Sequence, residues 1–288
     1  MANVLLTGSE GFVGRQFQKH FKETGDKVTC IDVKSNMDCR DFFKITNTQF
    51  DLVIHLAAVV GGRLTIEGDP LRVATDLAID SDMFNWAVNT KQPRVVYYSS
   101  SAAYPISLQG VEYYLEEASI DLQAIQTPDF SYGWAKLTGE MLAGYAEDQG
   151  VRVHVFRPFS GYGEDQDLDY PFPSFMKRIR DRENPFYIWG DGNQVRDFIH
   201  IEDIVKATMK AVELDIKGPV NLGTGRPISF TQLANLAFEI AGFHPDIQYL
   251  TDKPVGVLFR CCENSKLNTF YSPEISIEEG IQRALYGV

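Results

Sequence analysis

Val4-Leu5-Leu6-Thr7-Gly8-Ser9-Glu10-Gly11-Phe12-Val13-Gly14 is the stretch that decides the fold. The apolar run from Val4 to Leu6 predicts a strand, and Val13, Phe17 and Phe21, recurring every four residues, predict one face of a helix just beyond the glycines. Gly25 stops that helix, and Lys27 to Ile31 predicts a second strand that ends in Asp32. Strand, glycine turn, helix, strand and acid, in that order, describe a unit built to hold a dinucleotide. Gly8 allows the sharp turn, Gly11 lets backbone N–H groups approach a pyrophosphate, and Gly14 lets the helix sit close on its strand. The phosphates then rest on a helix N-terminus, where unpaired N–H groups and the positive dipole end favour anions. Asp32 accepts from both ribose hydroxyls and repels a 2'-phosphate, which favours NAD over NADP, while Lys34 two residues on pulls the other way.

Outward from this unit the same alternation continues. Only six residues separate the strand end at Ile31 from Asp38-Cys39-Arg40-Asp41, so the connecting helix is absent or very short, and Asp38 is placed to reach the adenine. Phe50 to Ala58 is a continuous apolar run, as expected of a parallel strand buried on both faces, with His55 as a hydrogen-bonded core histidine. The loop Val59-Val60-Gly61-Gly62-Arg63 then lies over the carboxyl end of that strand, where such sheets bind ligands. Leu71 to Asn89 predicts a helix with Leu77, Phe84 and Val88 inward, and Arg94 to Tyr98 a strand that delivers Ser99-Ser100-Ser101 to the same edge. Ser131 to Gln149 predicts a helix and Val151 to Phe156 a further strand. The fold class is therefore α/β, a doubly wound parallel sheet of the Rossmann type.

Beyond Arg157-Pro158 the composition changes to Gly, Asp and Tyr, with Pro171 and Pro173 as breakers before a short basic helix from Phe175 to Arg182. We expect a smaller mixed α/β substrate lobe over residues 161–288 beside a dinucleotide-binding domain over 1–160. Residues 193–225, with Arg196 to Ile201 as a strand and a helix after it, are expected to return to the first domain. Helices over Ser229 to Ala241 and Ser276 to Leu285 complete the chain.

Composition sets limits. With 288 residues, 44% hydrophobic and 23% charged, the chain has the material for a buried core. A formal net charge of -12 argues against nucleic acid or an anionic membrane as partner. The start lacks a basic leader and no stretch reaches membrane-spanning length, so a cytoplasmic protein is expected. Cys30, Cys39, Cys261 and Cys262 have no metal-type spacing and are read as free thiols, and no metal is expected.

Tyr132-Gly133-Trp134-Ala135-Lys136 sets a phenol and an ammonium four residues apart on a helix, about 6 Å apart at Cβ. A free tyrosine titrates near 10 and is a poor base at neutral pH, but a neighbouring ammonium and a cationic nicotinamide both favour phenolate. Tyr132 is then the candidate base for a sugar hydroxyl, Lys136 the residue that holds the cofactor ribose, and Ser100 the hydroxyl that orients the reacting oxygen, with Ser99 and Ser101 as rivals.

These residues together resemble the extended short-chain dehydrogenase/reductases, in particular the nucleotide-sugar epimerase/dehydratase group. The resemblance rests on Thr7 to Gly14, Asp32, His55 to Ala58, Ser99 to Tyr104, Tyr132 with Lys136, Arg157-Pro158-Phe159, Tyr162-Gly163, Gly190-Asp191-Gly192, Arg196 to His200 and Asn221 to Gly225. It implies Ser100 as the catalytic hydroxyl, and cofactor contacts from Phe12, Val13, Cys39, Leu56, Ala57, Ala58 and Pro158 in addition to the glycines, Asp32, Asp38, Tyr132 and Lys136. It implies a nucleotide-diphosphate sugar as partner, gripped at its diphosphate by Arg196, with Arg63, Ser101, Ser160 and Lys253 as further substrate contacts. Tyr187 and Trp189 fall where related enzymes meet the nucleobase, although Tyr187 also suits simple packing. A homodimer through the helices near Leu71 to Asn89 and Ser131 to Gln149 is implied as well.

Departures from the pattern narrow the activity. Dehydratases of the group carry Asp-Glu after the catalytic hydroxyl, and related decarboxylases a Glu, where this chain has Ser101-Ala102. Fucose-synthase-like enzymes share the short loop after the second strand, Val60-Gly61-Gly62, and Lys253-Pro254 with Gly256, but use a cysteine where Ala102 stands. The usual Asn after Arg-Pro-Phe is Ser160, and an expected Arg is Lys253. The expectation is NAD-dependent epimerisation of a nucleotide-diphosphate sugar at carbon 4 through a transient ketone. The alternative is an NAD(P)H-dependent reductase of a 4-keto nucleotide sugar, and a catalytically silent NAD-sensing scaffold is a third reading.

Overall fold

Six strands, β1 (Asn3–Thr7), β2 (Lys27–Ile31), β3 (Leu52–His55), β4 (Arg94–Tyr98), β5 (Arg152–Pro158) and β6 (Val220–Leu222), form one sheet in the order β6-β5-β4-β3-β1-β2. Every neighbouring pair is parallel. The fold comes from a computed structural model that describes residues 1–61 and 68–287. Val4, Leu6, Ile54, Val96 and Phe156 meet helices α1 (Phe12–Thr24) and the later helix Ile201–Glu213 on one face of the sheet. Leu5, Val53, Val95, Tyr97 and Val153 meet α2 (Cys39–Ile45), α3 (Thr75–Asn89) and α4 (Phe130–Asp148) on the other. Strands covered on both faces carry no polar side, which is why β3 is buried at all four positions.

The link between β2 and β3 is short, as expected: a single 3-10 turn, Val33–Ser35, and then α2, whose N-cap is Asp38. The helix expected from Leu71 is instead two pieces, Pro70–Val73 and α3, broken at Ala74. Its inward face also differs, because Leu77 is exposed while Asp76, Ile79, Asp80, Met83 and Phe84 are buried. Pro171 and Pro173 do not break a helix. They begin one, α5 (Pro171–Arg180), where a fixed φ and a missing N–H cost nothing in the first turn.

The strand Val195–His200 pairs with Ser160–Tyr162, Pro227–Ser229 and Phe259–Cys262, so it belongs to a second, mixed sheet, while the helix after it, α6 (Ile201–Glu213), packs on the central sheet and β6 joins it. Tyr114–Leu115 joins the same second sheet through Cys261 and Cys262. Phe186–Trp189 pairs in parallel with Ile247–Leu250. Phe172, Phe175, Phe186, Phe198, Leu233 and Ile281 build a separate core there, with α5, α7 (Phe230–Ala241) and α8 (Ile277–Tyr286) around it. No described helix is long and apolar enough to cross a membrane.

Candidate active site

Thr7 and His55 end β1 and β3 side by side, at the point where the strand order reverses and parallel sheets open a crevice. Gly8 follows with φ at 68°, and a Cβ there would lie 2.7 Å from the Leu56 carbonyl carbon and the Ala57 nitrogen. The glycine turn therefore passes directly against Leu56 and Ala57, with Ala58 next in the chain, and only glycine permits it. At Gly14 a Cβ would collide with the carbonyl oxygens of Gly8 and Ser9, which fixes how deeply α1 sits in the turn. Gly11 is the N-cap of α1 and offers no side chain to the first-turn amides of Phe12, Val13 and Gly14, which leaves those donors for an anion.

Asp32 is buried, with one carboxylate oxygen accepting from the Glu10 amide at 2.8 Å and the other from the Lys34 amide at 2.8 Å. Each oxygen keeps a second lone pair, so the pair of hydroxyls on a ribose can still be met. This glycine cradle and acid fit an adenine dinucleotide. Asp38 is more committed than the sequence suggests: it caps α2 and pairs with Arg40 at 2.6 Å, which holds its carboxyl below the usual range. Cys39 is buried, and burial pushes its thiol up to about 12, as an inert packing group. Pro158 closes β5 opposite Leu222.

Ser100 follows β4 and caps the 3-10 turn Ser101–Ala103, its hydroxyl accepting from the Ala102 amide at 3.1 Å. The start of α4 is seated on this turn, because the Asp129 amide donates to the Ala102 carbonyl at 3.0 Å and a Cβ at Gly133 would collide with that same oxygen. Tyr132 thereby faces Ser100, whose hydroxyl favours the phenolate. Lys136 lies one turn on, with its Nζ 5.8 Å from the Tyr132 ring centre. Sequence alone suggests that this ammonium makes the phenol acidic. In the structure burial outweighs it, Asp76 and Asp80 add to the burial, and Tyr132 stays above its ordinary value. Burial also opposes the charge on Lys136, but Asp80, Tyr132 and Asp76 more than offset it and the ammonium is retained.

The next turn of α4 anchors the pair. Glu140 accepts from Arg157 Nε at 2.9 Å and Nη2 at 2.6 Å, and from the Ser99 hydroxyl. Arg157 also donates to the Tyr104 hydroxyl and the Glu117 carbonyl, and Tyr104 donates to Asn221 on β6. Tyr132, Lys136 and Glu140 therefore form one helix face tied to β4, β5 and β6.

The expected substrate contacts are more dispersed. Ser101 is buried in its turn and Ser160 lies on the strand that pairs with Phe198 to His200. Tyr187 and Trp189 point outward from their strand at 36% and 40% exposure while Phe186 and Ile188 point inward. Arg196 donates to the carbonyls of Val195 and Val257 and stacks its guanidinium over Phe230. Lys253 is exposed beside Asp252, and Arg63 lies outside the described residues. Two residues that the sequence reading passes over, Asp76 and Asp80, sit against Lys136, and their signal was the i, i+4 spacing of acids on an otherwise buried helix face. Tyr170, at the start of α5, lies close enough to Tyr132 to feel its charge. Among the described residues no cluster of His, Cys, Asp or Glu could hold a metal ion.

A doubly wound sheet with a glycine turn and a Ser-Tyr-Lys group at the same edge defines an extended short-chain dehydrogenase/reductase. The chain belongs to the NAD dependent epimerase/dehydratase family, whose model matches residues 4–223, and its cofactor is NAD. A UDP-glucuronate 4-epimerase of Thermodesulfobacterium geofontis is 27% identical, over 99% of this chain and 95% of its own length. A dTDP-4-dehydro-6-deoxy-D-allose reductase of Streptomyces is 25% identical over 92% of this chain and 89% of its own. The solved UDP-N-acetylglucosamine 4-epimerase of Methanobrevibacter ruminantium, in complex with UDP-N-acetylmuramic acid, superposes with a TM-score of 0.84 at 26% identity and covers 99% of this chain and 97% of its own.

Proposed function

We propose that the protein epimerises a nucleotide-diphosphate sugar at carbon 4. Gly8, Gly11, Gly14 and Asp32 hold NAD, and Lys136 holds its nicotinamide ribose. The cofactor supplies the oxidation and the later reduction at the sugar carbon. Tyr132 accepts the proton of the reacting hydroxyl and afterwards returns it, while Ser100 holds that oxygen in line. Arg196, with Ser160, Lys253 and Arg63, meets the diphosphate through donors suited to phosphate oxygens, and the outward aromatic faces of Tyr187 and Trp189 suit a nucleobase. The observation that carries the reading is the meeting of Ser100, Tyr132 and Lys136 beyond β4, at the same sheet edge as the glycine turn beyond β1, with Ser101 and Ala102 after Ser100. A dehydratase needs an acid there to expel a leaving group. The names of relatives such as the 27% identical 4-epimerase support the same reading. We also assign a homodimer through α3 and α4, whose Leu77, Trp134 and Tyr145 side chains are exposed.

A second reading, reduction of a 4-keto nucleotide sugar, is favoured by the 25% identical reductase and uses the same Tyr132 in the protonating direction. One assay separates them. Incubation with UDP- and GDP-hexoses is expected to change the ratio of 4-epimers with no net change in the absorbance of reduced cofactor, and Tyr132→Phe to lower that conversion at least tenfold. Stoichiometric consumption of reduced cofactor rejects the epimerase.

A further inference from the structure

Two carboxylates stand against the lysine of this site, and the reaction uses neither. Asp80 is 1% exposed. Its Oδ2 accepts from the Tyr97 hydroxyl at 2.5 Å and its Oδ1 meets His55 Nε2 at 3.3 Å, while His55 Nδ1 meets the hydroxyl of Thr7 at 2.8 Å. Thr7 is the residue before Gly8, so one continuous chain of polar contacts runs from the start of the glycine turn through His55 on β3 to Asp80 on α3 and Tyr97 on β4. The Lys136 ammonium lies over the ring of Tyr97, 5.3 Å from its centre, above the phenol that Asp80 holds. Gly139 makes this approach possible, since a Cβ there would collide with the Tyr97 hydroxyl and come within 2.7 Å of Asp80 Oδ2. Asp76, one turn earlier on α3, is fully buried. Its Oδ1 accepts from the Val59 amide at 2.5 Å and its Oδ2 has no hydrogen-bond partner among the described residues, an arrangement that costs free energy and calls for a reason.

We propose that Asp76 and Asp80 are positioning residues for the base: they hold the Lys136 ammonium in place and keep Tyr132 a neutral phenol until a further positive charge arrives beside it. The proposal rests on the reading of Tyr132 as the base. The charges facing the phenol are Lys136 from its own helix and Asp76 and Asp80 from α3. Tyr170 approaches from the loop before α5, and Tyr97 and Glu140 lie behind, with His55 on β3 bound to Asp80. Burial is the first reason Tyr132 stays protonated, and in that poorly solvated place the two carboxylates oppose the field of the one ammonium. Asp76, raised by burial to about 6, is still ionised at neutral pH. Beside an oxidised, positively charged nicotinamide this phenol would release its proton to solvent, the phenolate so formed would take the proton of the reacting hydroxyl, and the resulting phenol would give that proton back once the positive charge is gone. An enzyme that oxidises and then re-reduces the same carbon needs both behaviours in one turnover.

The test is the ultraviolet absorbance of phenolate in the cofactor-free protein between pH 7 and 10.5. Tyr132 is one of 13 tyrosines, so its share is read as the difference from Tyr132→Phe. Asp80→Asn and Asp76→Asn keep the acceptors for the Tyr97 hydroxyl and the Val59 amide while removing the charge. Each is expected to raise the amount of Tyr132 phenolate at pH 9 about tenfold, the effect of deleting one like charge at short range in a medium less polar than water. A change under threefold overturns the proposal, and so does a fall, which would mean that the carboxylates act by keeping Lys136 charged. A merely structural role would lower the melting temperature without moving this signal. If Asp80→Asn does not fold, Asp76→Asn decides, because its lost Oδ2 has no partner to strand. The measurement needs no substrate, so a failed epimerisation assay and a failed titration are separate results.

Discussion

Replacing Glu140 by Leu removes the carboxylate that neutralises Arg157, whose side chain is 2% exposed. The guanidinium loses its fork on Glu140, at 2.9 and 2.6 Å, and keeps only the Tyr104 hydroxyl and the Glu117 carbonyl as acceptors. An uncompensated buried charge of this kind costs about 3–5 kcal/mol. For a chain of this size that corresponds to a fall in melting temperature of roughly 10 °C. Arg157→Met should cost as much from the other side, because Glu140 then keeps only the Ser99 hydroxyl as a donor. The double variant Glu140→Leu, Arg157→Met removes both charges together and should be more stable than either single variant, with a coupling energy on the order of 2–3 kcal/mol. Urea or thermal unfolding of the four proteins measures the cycle. Single variants costing under about 1 kcal/mol, or a double variant equal to the sum of the singles, would refute a desolvated pair whose value lies in mutual neutralisation. Turnover of the double variant then reports on geometry: recovered stability without recovered activity would show that the pair also orients the face that carries Tyr132 and Lys136.

Two further outcomes test the cofactor edge. Gly14→Ala drives a Cβ into the backbone oxygens of Gly8 and Ser9, atoms that cannot swing away, so it should cost about 1–3 kcal/mol of stability and lower NAD affinity at least tenfold by calorimetric titration; unchanged affinity would remove the turn from the cofactor site. Asp32→Ser retains a side-chain acceptor for the Lys34 amide but removes the charge facing the ribose, so NAD binding should weaken about tenfold and NADP binding strengthen, with Lys34 nearby to meet a 2'-phosphate. A preference for NAD that survives the change would show that something other than Asp32 sets it.

Much of the central sheet was legible because its signals are local. Val4 to Leu6, the glycines and the Phe17 and Phe21 spacing each depend on residues within a few positions, and their period survives whatever packs on them. The second sheet was not legible in the same way. Val195–His200 looks like a strand that feeds α6 back to the central sheet, yet its hydrogen bonds go to Ser160–Tyr162, Pro227–Ser229 and Phe259–Cys262, the last paired from 64 residues away. Nothing in a short window specifies such a pairing. Likewise Pro171 and Pro173 carry the same conformational preference whether they end one element or start the next, and only the helix that follows decides between the two.

The site divides along the same line. Tyr132 and Lys136 announce themselves, because four residues on a helix fix one face whatever surrounds it. Asp76 and Asp80 obey the same spacing, and Ile79, Met83, Phe84 and Ala87 complete a buried stripe with them, but an apolar template prefers Leu77 and turns the helix the wrong way. The template fails there for a physical reason. Burying a carboxylate is ruled out by its solvation cost unless tertiary partners offset it, and the Tyr97 hydroxyl, His55 and the Lys136 ammonium come from a strand, another strand and another helix. A carboxylate that a local pattern assigns to solvent is enclosed here because an ammonium and hydrogen-bond donors from other elements offset its burial, and strongly perturbed groups of this kind are where a site's chemistry is most often tuned.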